Sequence, residues 1–222
     1  SVSKLDFKSK QDQMQQLSFS EYVQGVPGLF ALNTNNFSQD LRISIRGFGA
    51  RSAFGIRGIK ILVDGIPETT PDGQGQIDNL SLGSISSVEV IRGPSSLLYG
   101  NASGGVISIQ TTSDIEKNYI KPAMTLGRFG MENLQIEAGV KKKNTTLILL
   151  ANKIKTNGYR AQSGFESSGI NARIKHEFSE KTEINLLLAA KSKKDLTKLL
   201  DSAVASSIYD VYNELQDIGI SN

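Results

Sequence analysis

The chain has 222 residues, 38% hydrophobic and 21% charged, with a formal net charge of +3 and no cysteine. No run of about eighteen apolar residues occurs, which excludes a helical membrane bundle but not membrane strands, whose alternating pattern gives a weak hydropathy signal. The missing cysteines exclude disulfides, thiolate metal sites and cysteine nucleophiles together. Charge divides the chain into three zones: residues 1–113 carry nine basic and nine acidic side chains, 114–194 fifteen and eight, and 195–222 one and five. Ser1 onward lacks the basic start and apolar run of a secretory leader, so a targeting segment is expected to have been cleaved or omitted.

In the first zone, Val2 to Phe7 alternates and reads as a short strand. Ser18 to Val26 reads as a helix with Leu17, Tyr22 and Val26 near one face, stopped by Pro27-Gly28. Leu41 to Arg46, Ile59 to Val63, Ser87 to Ile91 and Gly105 to Gln110 are short, β-branched and bounded by Gly, Pro, Asp or Asn, so they read as strands. A small α+β domain with long glycine-rich loops follows from this. Gly47, Gly49, Gly93, Gly100, Gly104 and Gly105 permit positive φ and close backbone approach in those loops.

The phrases VPGLF (26–30), ISIRGFGAR (43–51), ILVDGIP (61–67) and ISSVEVIRGPSSLLYGNASGGVISI (85–109) stand in this order. Together they resemble the plug domain of TonB-dependent outer-membrane receptors, with Val88 to Ile109 the most specific stretch. The resemblance covers about half of the chain. It implies a plug domain, here residues 1–113, sitting inside a membrane barrel of a Gram-negative outer membrane. It also implies gated uptake of a scarce ligand rather than catalysis, energised by TonB and its inner-membrane complex.

Two sets of residues acquire expected roles from that resemblance. Arg46 and Arg92 each close a strand before a glycine, and the matching arginines of the family pair with carboxylates on the barrel wall. The alternative for each is local satisfaction by carbonyls and by acids such as Glu89. Arg51 and Arg57 offer guanidinium groups suited to anionic oxygen ligands, and Gln74 and Gln76 offer amides on a flexible loop. In the family, loops at these places rise to the outward apex of the plug, so these four are candidate ligand contacts; the competing reading is two solvated turns. The Gly-Gln-x-Gln phrase looks most like receptors of the ferric-citrate group, which suggests a ferric chelate as the transported ligand.

The second zone, residues 114–194, changes to longer alternating segments. Leu134, Ile136, Ala138 and Val140 share one face, with Gln135, Glu137 and Lys141 opposite. Ile170, Ala172, Ile174 and Phe178 oppose Asn171, Arg173, Lys175 and Glu177, and Ile184, Leu186, Leu188 and Ala190 repeat the pattern. Strands are expected near 119–128, 132–141, 144–156, 169–178 and 182–191, as antiparallel membrane-barrel strands joined by short and longer connections in turn. A soluble sheet with one wet face has the same periodicity. Plugged outer-membrane transporters have about 22 strands, so five make an incomplete barrel, and the chain reads as a fragment, a truncated product or one piece of a split receptor. Residues 195–222 break the alternation and follow helical spacing, as a tail or an outer loop.

No cofactor is expected. His176 is the only histidine, which leaves no multi-histidine metal site and no histidine-based catalytic arrangement. Asp64, Glu68, Asp72 and Asp78 match no calcium loop. The lysines lack an aromatic stacking platform, which argues against nucleic acid. Two other readings stand beside chelate uptake. Glycan importers of the SusC type carry a Lys-Asp-Ala-Ser-like phrase where this chain has Arg92-Gly-Pro-Ser-Ser96, and a plug-only periplasmic module would not need five strands with apolar outer faces.

Overall fold

The computed structural model describes residues 2–7, 10–32, 41–52, 55–77, 80–160, 163–179 and 182–192. The helical expectation for 195–222 lies outside these residues.

The first unit contains β1 (Val2–Asp6), α1 (Ser20–Val23), β2 (Leu29–Leu32), β3 (Arg42–Ile45), β4 (Ile56–Arg57), β5 (Ile59–Val63), β6 (Ile66–Pro67), β7 (Gln74–Gly75), β8 (Ile85–Arg92), α2 (Ser96–Tyr99) and β9 (Gly105–Thr111). Its main sheet has the order β1-β8-β9-β5-β6, antiparallel except for the β5–β9 pair. Alternation puts Ile59, Ile61, Val63, Val88, Val90, Ile107 and Ile109 on one buried face. Tyr22, Phe7 and Phe19 join that core, with ring centroids 4.9 and 6.1 Å apart. The Tyr22 hydroxyl lies 2.7 Å from the Leu82 carbonyl oxygen and 2.9 Å from Gln11 Oε1, so its one proton serves either acceptor, and burial raises its pKa above the ordinary tyrosine value.

The helix is shorter than its periodicity predicts. Glu21 gathers the backbone N–H groups of Gln15, Gln16, Leu17 and Ser18 at 2.8–3.1 Å. That carboxylate satisfies donors which a helix would otherwise leave open at its start, so the chain wraps around Glu21 instead of coiling through 18–19. Gly25, at φ +87°, turns the chain after α1. The β2 strand was not anticipated; it pairs with β3 from Leu29↔Ile45 to Leu32↔Arg42.

The second unit is a five-stranded antiparallel meander of β10 (Tyr119–Gly127), β11 (Met131–Lys142), β12 (Thr145–Thr156), β13 (Phe165–Ser179) and β14 (Thr182–Ser192). Register aligns the outward apolar residues in rows. One row is Ile120, Ala138, Leu149, Ala172 and Leu188, and the next is Pro122, Ile136, Ala151, Ile170 and Ala190. The inward face carries Asn133, Gln135, Asn171, Arg173 and Lys175 and lies against the first unit, as Asn133 donating to the Gln15 carbonyl at 3.2 Å demonstrates. Met131, Ile148, Leu150 and Ile154 are buried on the same inward face, and the remaining pattern, apolar outside and polar inside, is the face assignment of a membrane-barrel wall.

Candidate functional site

The loops at the β8–β9 hairpin end of the plug form one polar cluster. The β4–β7 pairing sets Arg57 directly opposite Gln74. Arg57 Nη2 donates to Gln74 Oε1 at 3.3 Å and lies 3.9 Å from Asp72 Oδ2, with both charged side chains more than half exposed. The Thr70 hydroxyl donates to Asp72 and, with Arg57 adding a smaller effect, holds that carboxyl below the usual aspartate range. Asn101 from the hairpin loop donates to the Pro71 carbonyl at 3.0 Å, tying the two loops together. Close backbone approach shapes this end. A Cβ on Gly105, at φ +143°, would stand 2.3 Å from the Ile91 carbonyl oxygen, and one on Gly49, at φ +85°, 2.6 Å from that of Ile43.

Of the four candidate ligand residues, the structure brings Arg57 and Gln74 together. Arg51 is exposed on the neighbouring turn. Gln76 borders a crevice between plug and wall with Ile61, Glu68, Asn171 and Leu187.

Arg46 sits at φ +50°, exposed, with its amide donating to the Gly28 carbonyl at 2.8 Å. Arg92 donates to the Pro27 carbonyl and to Ser3 Oγ, both at 2.9 Å. Glu89 is not the local partner of Arg92. Three positions apart on one strand, the two point to opposite faces, and Glu89 lies across from Lys4 and Ser108.

The plug and wall are joined by a pair that the sequence did not suggest. Asp64, at φ +51° in the β5–β6 turn, accepts the Thr111 amide at 2.8 Å and the Thr111 hydroxyl at 2.7 Å. The oxygen that takes the hydroxyl, Oδ2, also accepts Arg173 Nη1, from β13, at 2.6 Å, and Arg173 donates to the Thr111 hydroxyl as well. The Asp64 and Arg173 side chains are only 13% and 11% exposed. The expected sense is therefore reversed in this contact: the plug supplies the carboxylate and the wall the guanidinium. Just beyond it, Asp114 in the connection to β10 accepts Lys141 Nζ at 2.6 Å, and that hydrogen bond lowers the Asp114 pKa. Among the described residues, no group of three or more His, Cys, Asp or Glu could hold a metal ion.

Residues 1–106 match the family model described as TonB-dependent Receptor Plug Domain. Residues 1–106 are a TonB-dependent receptor plug domain. The hemin receptor of Yersinia enterocolitica is 36% identical over 96 residues, 42% of this chain and 13% of its own length. The vitamin B12 transporter BtuB of Vibrio vulnificus (strain CMCP6) is 31% identical over 107 residues, 48% of this chain and 17% of its own. The crystal structure of the ferric yersiniabactin uptake receptor FyuA from Yersinia pestis superposes with a TM-score of 0.64 at 18% identity, covering 86% of this chain and 31% of FyuA. At that identity the likeness concerns the fold, and it extends through β10–β14, which match part of a receptor barrel. The chain thus spans less than a third of the length of each of these relatives. Plugged receptors of this family are transporters rather than enzymes and reside in the Gram-negative outer membrane.

Proposed function

We propose that the chain supplies the plug and five wall strands of a receptor that imports a scarce ligand with energy delivered by TonB. The ligand is an anionic metal chelate, most closely a ferric siderophore or ferric citrate. The observation that carries this reading is the Arg57–Gln74–Asp72 cluster, an exposed guanidinium held beside an amide on the loops at the hairpin end of a plug domain. A guanidinium presents a planar fork of donors matched to carboxylate and catecholate oxygens. Arg51 on the adjoining turn adds a second one. Similarity to a hemin receptor and to a ferric yersiniabactin receptor supports a metal-chelate ligand over a glycan. Arg46 and Arg92 remain the proposed anchors toward wall strands beyond β14, beside the Asp64–Arg173 contact.

Ligand must favour one plug arrangement over another for the periplasmic side to respond. The Asp64–Thr111–Arg173 contact is the place where such a change would meet the wall. Equilibrium binding of ferric citrate, a ferric catecholate, haem and cobalamin to the complete receptor tests the reading. Tight binding of one ferric chelate that weakens in the Arg57→Ala, Gln74→Ala variant supports it. Binding of none of the iron ligands, or binding indifferent to those changes, would overturn the ligand class.

A further inference from the structure

We propose that the outer face of the wall, where β11 turns into β12, holds the phosphate headgroup of an anionic phospholipid of the periplasmic leaflet. The inference rests on β10–β14 being membrane wall and is independent of which ligand the receptor imports.

The two-residue turn Lys143-Asn144 marks this end as periplasmic, because membrane barrels place their short turns there. The connection from the plug enters β10 at the same end. Alternation sends Lys141 inward to Asp114 and Lys142 outward, in line below Val140. An open groove of about 550 Å³ lies here. Its polar border is Lys142, Lys143 and His176, and its apolar side is Val140 and Leu147, which belong to the lipid-facing rows. No carboxylate lines it, and among the described residues neither lysine has an ion-pair partner.

The basic groups are held in place. Asn144 donates its side-chain amide to the Glu177 carbonyl at 3.0 Å and accepts the Glu177 amide at 3.0 Å, so the turn bearing Lys143 is fastened to β13. His176 Nδ1 lies 2.8 Å from Thr145 Oγ1, which leaves Nε2 as the ring's remaining polar atom. Phe178 packs edge-on against that ring, 4.5 Å between centroids, at the level where barrels carry interfacial aromatics.

The opposite rim differs in its charge balance. There Lys153 pairs with Glu166 at 3.1 Å, and Lys155 lies in register between Glu132 and Glu166. Positive charge without internal compensation, directly beneath an apolar band, complements one phosphate with acyl chains above it. Basic residues near an anionic leaflet each strengthen binding several-fold.

The test reconstitutes the complete receptor in nanodiscs of phosphatidylcholine with a minor fraction of phosphatidylglycerol and counts retained lipids by native mass spectrometry. Lys142→Gln with Lys143→Asn keeps a side chain suited to the positive φ of the turn. The expected result is a loss of phosphatidylglycerol retention on the order of tenfold. Lys153→Gln with Lys155→Gln, which removes the same charge from the other rim, is expected to leave retention unchanged. Equal retention in the turn variant and the parent would overturn the site. Displacement of phosphatidylglycerol by inorganic phosphate would assign it to a free anion instead. A parent receptor that does not insert would overturn the wall assignment and this site with it.

Discussion

Arg173 on the wall donates to the Asp64 carboxylate of the plug at 2.6 Å, and the two residues are 109 positions apart in sequence. Asp64 also holds the Thr111 amide and hydroxyl, so one carboxylate joins the β5–β6 turn, the end of β9 and the wall. Thr111 is the last residue of β9 before the connection to β10. A force or ligand signal that displaces the plug while this connection stays in place must work against that contact.

Removing one partner of a buried ion pair strands the other charge and costs about 3–5 kcal/mol. Asp64→Ala and Arg173→Met are therefore each expected to speed amide exchange in β5 and β9 of the complete receptor by about a hundredfold or more. The double variant is expected to cost less than the sum of the singles, since no charge is left unpaired. Hydrogen exchange with mass spectrometry gives all three values; strictly additive losses would contradict a direct pair.

Gly105→Ala tests the hairpin geometry. A Cβ there meets the Ile91 carbonyl oxygen at 2.3 Å at a φ that L-residues rarely adopt. Overpacking of this kind costs about 1–3 kcal/mol before backbone strain is added. Thermal unfolding of the variant plug is expected at a lower temperature than the parent; an unchanged transition would show that the β8–β9 register is different.

Arg57→Ala is expected to weaken binding of the ferric chelate roughly tenfold, the loss of one hydrogen bond to a charged group. Gln76→Ala is expected to leave affinity unchanged, because Gln76 borders the crevice between plug and wall rather than the Arg57 cluster. Titration calorimetry separates the two variants. Equal losses would place both residues in one site.

Lys141 holds the Asp114 carboxyl below its ordinary pKa mainly through a hydrogen bond. A depressed folded-state pKa means that the contact contributes above the unfolded aspartate value and is lost as pH falls through the folded one. Lys141→Ala should return the Asp114 titration to the ordinary range, read by carboxyl NMR. An unaltered titration would contradict the clamp on the connection.

The wall was legible in the sequence because its physics is local. Leu134, Ile136, Ala138 and Val140 alternate with polar residues, and a period of two leaves one possible assignment of faces. The plug motifs were legible for a similar reason, since Gly49 and Gly105 occupy places where a Cβ would collide with backbone. Helix length was misread because periodicity around Tyr22 cannot reveal that Glu21 captures four amides upstream. The Asp64–Arg173 pair was invisible for want of any local signal: Asp64 reads as a turn residue, and Arg173 as one polar position in an alternating strand. Only the docking of plug on wall brings them together.

Energised import of an anionic metal chelate, as proposed for the complete receptor, is read out by uptake into cells. Iron-starved cells expressing the complete receptor would be supplied with radiolabelled ferric siderophores and ferric citrate, with TonB present or deleted. The expected result is accumulation of at least one chelate that requires both the receptor and TonB and falls in the Arg57→Ala, Gln74→Ala variant. Accumulation equal with and without TonB, or none above receptor-free cells for any iron chelate, would contradict it.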